Sequence, residues 1–106
     1  MQKKVDQLEK RITVIKASLQ GIGPMRPGTL TQQYKNPKEK TGGYYQISYT
    51  LHMKSRTEYV RPPFVRQIQK EVTEYKRYRD LIERWVDLSI ELSKLKIKLA
   101  LAQEKG

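Results

Sequence analysis

Residues 78–102 read YRDLIERWVDLSIELSKLKIKLALA, and within them an apolar side chain recurs at alternating steps of three and four. That spacing keeps these side chains on one narrow stripe of a helix, the seam of a coiled coil. The seam residues are Tyr78, Leu81, Trp85, Leu88, Leu92, Leu95, Leu99 and Ala102. A similar stripe opens the chain and consists of Met1, Val5, Leu8, Ile12, Ile15, Leu19 and Ile22. We therefore expect two helices with coiled-coil-like packing.

The C-terminal helix carries a second apolar stripe beside the seam. Its members are Ile82, Val86, Ile90, Ile97 and Leu101. A helix that is apolar on two flanks contacts two neighbours. One neighbour is expected to be the N-terminal helix, folded back antiparallel, and the other a second copy of the chain. The sequence thus predicts a homodimer through the long helices, with the seam residues from Tyr78 to Leu99 assigned to coiled-coil and dimer contacts.

Between the helices, residues 44–61 alternate with a period of two in residue types that favour β-strands. We expect a β-hairpin with its turn at residues 52–55. The predicted register places Leu51 opposite Arg56 and Ile47 opposite Val60. Two prolines, at positions 62 and 63, then end the second strand and start the long helix.

The whole chain is expected to form one α+β domain, mostly α, over residues 1–106. Its parts are a helix at 2–20, a basic loop at 21–43, a β-hairpin at 44–61 and a long helix at 63–103. Within the loop, the Gly- and Pro-rich stretch before Thr29 predicts a stiff connector. Thr29 and Gln32 match the capping pattern of a short helical turn. The apolar phase slips by one residue between Tyr75 and Tyr78, which we interpret as a change of packing partner.

The charge of the chain favours a polyanionic partner. There are 22 Lys and Arg against 11 Asp and Glu, a formal charge of +11, which indicates nucleic acid first and an anionic membrane surface second. The chain has no cysteine, so disulfides and cysteine-ligated metal sites are excluded. No apolar run reaches the ~20 residues that span a bilayer, and the N-terminal residues lack the pattern of a signal peptide. We expect a cytoplasmic protein without membrane contact.

Basic and aromatic side chains concentrate in residues 21–61. This segment has seven basic and two acidic side chains, and five of the seven tyrosines. Lys and Arg neutralise phosphates, and tyrosine hydrogen-bonds a phosphate or stacks on an exposed base. The residues expected to contact nucleic acid are Arg26, Lys35, Lys38, Lys40, Lys54, Arg56 and Arg61. For Tyr45 and Tyr49 the competing interpretation is packing against the long helix.

Catalytic chemistry finds little support in the sequence. An acidic file on the long helix has the residue types of a metal-dependent nuclease, but its spacing to Lys and Arg fits helix-surface ion pairs better. The file consists of Asp80, Glu83, Asp87 and Glu91. His52 is the only histidine, so neither a Ser–His triad nor a histidine-based metal site assembles in one chain. We expect no catalytic residue, metal or cofactor.

Three functions therefore stay open. The preferred one is a non-enzymatic nucleic-acid-binding protein or accessory factor, acting alone or within a larger protein or nucleoprotein complex. The first alternative is a protein-interaction adaptor or inhibitor that uses the helices and a basic face. The second is a nuclease subunit that uses the acidic file.

Two segments resemble a motif pair of a family of small prokaryotic proteins. They are MRPGTL at residues 25–30 and GYYQISYTLHMKSRTEYVR at residues 43–61, followed by a long charged helix. The family has an RPG[S/T]L motif, a Gly-x-Tyr-Tyr strand and a Lys/Arg-Thr-x-Tyr-Val strand, and it occurs often among mobile-element genes. The resemblance implies a role linked to DNA or mobile elements, with DNA favoured over RNA, and no mechanism. Many members carry cysteines before the Tyr-Tyr strand. At that place this chain has residues 35–43, which contain no cysteine, so a metal role there is not carried over.

Overall fold

The computed structural model describes residues 2–105 and shows an α+β fold that is mostly helical. Its elements are α1 (Gln2–Gln20), β1 (Thr29–Asn36), β2 (Thr41–Leu51), β3 (Lys54–Val60), a 3₁₀ turn (Pro62–Phe64) and α2 (Val65–Lys105). The predicted helix boundaries agree with these to within two residues. Met1, the first residue of the N-terminal stripe, lies outside the described residues. The chain divides into two compact units, which we call the sheet unit (Gly23–Arg77) and the helical unit (Met1–Ile22 with Tyr78–Gly106).

Strand β1 occupies much of the segment that the sequence predicted as a basic loop. The three strands form one antiparallel sheet in the order β1-β2-β3. The short helical turn expected at residues 29–32 is wrong, because these residues are extended in β1. Pairing with β2 brings Leu30 beside the fully buried Ile47, and that burial favours the strand over a solvated loop. Only residues 37–40 remain as a turn between β1 and β2.

The β2–β3 hairpin closes with a shorter turn than the sequence predicted. Leu51 pairs with Lys54, so the turn contains only His52 and Met53. These two residues have φ of 52° and 65°, and a two-residue turn with positive φ matches the right-handed twist of the strands. Val60 consequently pairs with Tyr45, two positions before its predicted partner Ile47. The shift is even, so every side chain keeps its predicted face.

The core of the sheet unit lies between one face of the sheet and the N-terminal part of α2. Ile47 and Val60 from the sheet pack against Ile68 and Val72 from α2. Leu30, Tyr45 and Val65 are partly buried around them. The first turns of α2 therefore cover the apolar face that the hairpin alternation predicted.

The helical unit packs α1 against the C-terminal part of α2. Its buried residues are Leu8, Ile12, Ile15 and Leu88. Near the C-terminal end of α1 the Lys16 ammonium lies over the Trp85 ring, and near its N-terminal end Lys4 pairs with Glu91. The two helices therefore run antiparallel, as the sequence predicted.

The boundary between the two units falls within α2, between Arg77 and Tyr78. Before this point α2 contributes Ile68 and Val72 to the core of the sheet unit, and after it α2 packs on α1. The boundary coincides with the slip in the apolar phase. The predicted change of packing partner is thus confirmed.

Candidate nucleic-acid interface

The sheet has a second face on the side opposite its α2 core, which we call the outer face. Strand alternation and the pairing register place eleven side chains there. They are Thr29, Thr31, Gln33, Lys35, Tyr44, Gln46, Ser48, Thr50, Ser55, Thr57 and Tyr59. None of the eleven is buried, and the one charged side chain among them, Lys35, is basic. The outer face thus offers hydroxyl, amide and phenol groups without acidic side chains that would repel a polyanion.

Two tyrosines on the outer face form an aromatic pair. The ring centroids of Tyr44 and Tyr59 are 6.3 Å apart, with 47° between the ring planes. They are diagonal neighbours on adjacent strands, a distance that aromatic side chains bridge. Tyr59 is 60% exposed. The set of residues predicted to contact nucleic acid omitted both tyrosines, although the alternation of residues 44–51 already separated Tyr44 from the apolar face.

Hydroxyl groups pair across β2 and β3 along the same face. Ser48 Oγ lies 3.2 Å from Thr57 Oγ1, and Thr50 Oγ1 lies 3.2 Å from Ser55 Oγ. Such pairs support the strand register by roughly 0.2–1 kcal/mol each. Because each hydroxyl has one donor and two acceptor positions, these groups keep hydrogen-bonding capacity for a ligand.

The basic residues predicted to contact phosphates lie at both ends of the sheet and do not form one patch. Lys35 is near the end of β1 and Lys38 and Lys40 lie in the β1–β2 turn, whereas Lys54 and Arg56 lie at the start of β3, beside the β2–β3 turn. The eleven residues of β2 separate the two turns. At the rise of an extended chain this separation is about 33 Å. Lys54 and Arg56 alternate with the outer-face residues Ser55 and Thr57, so they belong to the other side of the sheet. The basic end of the outer face is therefore the one at the β1–β2 turn.

Most of these basic side chains are unpaired within the protein. In the part of the chain that the structure describes, no salt bridge involves Lys35, Lys38, Lys40, Lys54 or Arg61. Arg61 directly follows Val60, which pairs with Tyr45, so it lies near the same end of the sheet as the aromatic pair. The sheet unit has eleven basic and four acidic side chains, a formal +7, and the helical unit has +4.

Arg26, which the sequence predicted as a phosphate contact, is held inside the sheet unit. Its guanidinium pairs with the Glu58 carboxylate and lies 5.5 Å from the Tyr49 ring centroid. The Tyr49 hydroxyl donates to the same carboxylate at 3.0 Å, and the Arg26 backbone N–H donates to the carbonyl of Glu71 at 3.1 Å. Hydrogen bonds from Arg26, and then from Tyr49, lower the pKa of Glu58 from its ordinary value. Arg26 thus fastens the connector to the sheet and to α2.

The seam residues assigned to dimer and coiled-coil contacts face α1 of the same chain. Those in contact with the α1 cluster are Leu81, Trp85, Leu88, Leu92 and Leu95. Tyr78 and Leu99 are half-buried at the two ends of the seam. The Lys16 ammonium lies 5.3 Å from the Trp85 ring centroid, a cation–π distance. Because α1 covers this seam, a second copy would have to use another face of α2.

The acidic file of α2 is largely engaged in ion pairs. Three of its members are paired: Asp80 with Arg84, Glu83 with Arg79, and Glu91 with Lys4. Within residues 2–105, no group of three His, Asp or Glu side chains is placed to hold a metal ion. No helix in that range is long and apolar enough to cross a membrane.

Comparisons with known proteins do not extend these observations. Models of protein families, curated proteins and solved structures all give no match to the chain. The candidate interface therefore rests on the residues of this chain: the outer face, its aromatic pair and its basic end at the β1–β2 turn.

Proposed function

We propose that the protein binds single-stranded nucleic acid along the outer face of its sheet and catalyses no reaction. The observation that carries this proposal is the outer face, an acid-free surface with an aromatic pair and a basic end at the β1–β2 turn. Single-stranded nucleic acid is bound by proteins through aromatic stacking of bases combined with basic groups that follow the backbone. DNA is preferred over RNA because the resembling family occurs among mobile-element genes. We place the activity in the cytoplasm.

Each part of the interface has a separate task in this proposal. Lys35, Lys38 and Lys40 at the β1–β2 end bind backbone phosphates, which contributes affinity without sequence information. Tyr44 and Tyr59 stack on unpaired bases, for which every base offers a π-face. The hydroxyl and amide groups between them donate to or accept from base edges and sugars. Binding of this kind has little sequence preference.

A single strand fits the outer face better than a duplex does. In a duplex the base faces are stacked on one another, and only base edges and phosphates are accessible in the grooves. The aromatic pair would then lose its stacking partners, and only the basic side chains would contribute to binding. Duplex DNA should therefore bind more weakly than a single strand at the same salt concentration.

Fluorescence anisotropy of a labelled single-stranded oligonucleotide, titrated at several salt concentrations, tests the proposal. The logarithm of the binding constant should fall linearly with the logarithm of salt concentration, by roughly 0.7 per phosphate contact on a single strand. Replacing Lys35, Lys38 and Lys40 by Ala should flatten this slope by about 2. Replacing Tyr44 and Tyr59 by Ala should weaken the free energy of binding by about 1–3 kcal/mol per stacked base and leave the salt slope unchanged.

The control variant removes the same number of charges from the helical unit. Lys3, Lys10 and Arg11 on α1 are exposed, and replacing them by Ala should change affinity and slope much less than the turn variant does. Equal losses of nucleic-acid affinity in the two triple variants would contradict an interface on the sheet. The absence of binding to DNA and RNA at low salt would favour the protein-interaction adaptor instead.

A further inference from the structure

The second apolar stripe of α2 is exposed in the helical unit. Four of its side chains have about half of their surface accessible: Val86 51%, Ile90 50%, Ile97 58% and Leu101 52%. An open, mainly apolar groove runs along this side of α2 between Trp85 and Lys94. Scattered single apolar residues are normal on a surface, whereas a continuous row along a helix indicates a contact face.

The stripe repeats with a period of eleven residues. Val86 recurs as Ile97, and Ile90 recurs as Leu101. Eleven residues complete almost three turns of an α-helix, so side chains eleven apart lie nearly on one line along the helix. The face thus extends along the helix for about 30 Å, from Ile82 to Leu101, with the small Ser93 between Ile90 and Ile97.

The charges at one edge of the stripe follow the same period with the sign reversed. Glu83 and Asp87 recur eleven positions later as Lys94 and Lys98. The edge is therefore acidic in its first half and basic in its second. Across residues 2–105, no salt bridge involves Asp87, Lys94 or Lys98.

We propose that a second copy of this chain docks on the stripe in an antiparallel arrangement. When two identical helices pair about a twofold axis perpendicular to them, each edge faces the same edge of the partner, read in the opposite direction. The acidic half of the edge then lies against the basic half. Glu83 faces the partner's Lys98, and Asp87 faces the partner's Lys94.

The apolar side chains match in nearly the same register. With Ile82 opposite the partner's Leu101, Val86 lies opposite the partner's Ile97. Ile90 then lies opposite the partner's Ser93, and alternation of large and small side chains lets facing layers interdigitate. The ion pairs are only two positions away from this register, a shift that the long lysine side chains can span.

The pattern of charge favours a copy of this chain over other occupants. A uniformly acidic or basic partner would match one half of the edge and oppose the other half. A parallel copy would set this edge against the opposite edge of the stripe, where the seven-residue spacing gives Ser89, Lys96 and Gln103. Only the antiparallel copy pairs both halves.

Light scattering on a sizing column, without nucleic acid, tests the assembly. At high micromolar concentration the mass should be twice the 12.5 kDa of the chain. The variants E83K/D87K and K94E/K98E should each dimerise at least about tenfold more weakly, because like charges then face each other. Mixing the two variants should restore a dimer, since one edge is then all basic and the other all acidic.

Two controls keep this test decisive. All the reversed residues are exposed, so circular dichroism should show the wild-type helix content in each variant. Reversing Lys3 and Lys10 to Glu on α1 should leave dimerisation unchanged. A monomeric wild-type protein, or dimerisation that is insensitive to the reversals at the edge, would overturn the proposal.

A distance measurement tests the direction of pairing. The chain has no cysteine, so Gln103→Cys provides a single site for a spin label. In the antiparallel pair the two labels should lie about 35 Å apart, and in a parallel pair about 10 Å apart. The longer distance supports the proposal, and the shorter one contradicts it.

Discussion

Gly28 is the residue at which the Pro- and Gly-rich connector meets the sheet core. Its φ is +141°, which glycine adopts and other residues avoid. A Cβ there would lie 2.8 Å from Cγ1 of Ile47 and 3.0 Å from the carbonyl oxygen of Ser48. We predict that Gly28→Ala lowers the free energy of unfolding by about 1–3 kcal/mol or more, because backbone strain and the clash act together.

Gly23→Ala is the matched control for this substitution. A Cβ at Gly23 meets no atom within 4 Å, so the free energy of unfolding should change by less than about 0.5 kcal/mol. Urea denaturation measures both variants. Equal destabilisation by the two substitutions would contradict the strain and close packing assigned to Gly28.

Glu58 makes stability depend on pH through its contacts with Arg26 and Tyr49. Its pKa is lower in the folded chain than the ordinary value of 4.5. Its stabilising contribution is therefore fully present above that value and is lost as the pH falls through the folded pKa. We predict that Glu58→Gln lowers the urea midpoint at neutral pH, and that the difference from wild type narrows as the pH is taken below 4.5.

The control for Glu58 is Glu39→Gln in the β1–β2 turn. It removes one carboxylate charge from a residue whose side chain forms no salt bridge within the described part of the chain. Its urea midpoint should follow that of the wild type across the same pH range. A Glu58→Gln deficit of the same size at acidic and neutral pH would contradict the assigned role of the carboxylate.

Among the secondary-structure elements, the helices were predictable and β1 was not. Long seven-residue patterns and the Gly and Pro residues that follow α1 define the helices locally. In β1 the two apolar residues, Leu30 and Tyr34, are four positions apart, which is a helical spacing. This strand owes its existence to pairing with β2, a contact between distant residues that the local pattern does not show.

The hairpin register illustrates the same limit at a turn. The alternation of residues 44–51 predicted which side chains face the core. The turn, however, uses His52 and Met53 with positive φ, where Asn-Gly or Asp-Gly would be the recognisable signal. The faces were therefore predictable and the pairing partners were not.

At the scale of the whole molecule, the sequence predicts which segment carries the basic charge but not where its basic side chains lie on the sheet. Residues 21–61 were expected to form one contact region, and the sheet register distributes their basic residues to two ends. Arg26 pairs with Glu58, 32 positions away, a contact that no spacing rule reveals. The outer face, as a candidate interface, exists only once all three strands are paired.

The two units carry separate proposals, although α2 contributes to both. The sheet unit has the larger positive charge and the outer face. The helical unit has the exposed apolar stripe, whose edge changes from acidic to basic along α2. Nucleic-acid binding and dimerisation can accordingly be disrupted independently. Variants at the edge of the stripe should still bind a single strand, and variants at Tyr44 and Tyr59 should still form dimers.

The most direct test of the central claim is a map of backbone amide chemical shifts in ¹⁵N-labelled protein titrated with a single-stranded oligonucleotide. The largest changes should occur at outer-face residues, led by Tyr44, Gln46 and Tyr59, and at the β1–β2 turn beside them. Residues of α1 should change little. Changes confined to the helical unit, or a spectrum unaltered by the oligonucleotide at low salt, would contradict nucleic-acid binding on the outer face.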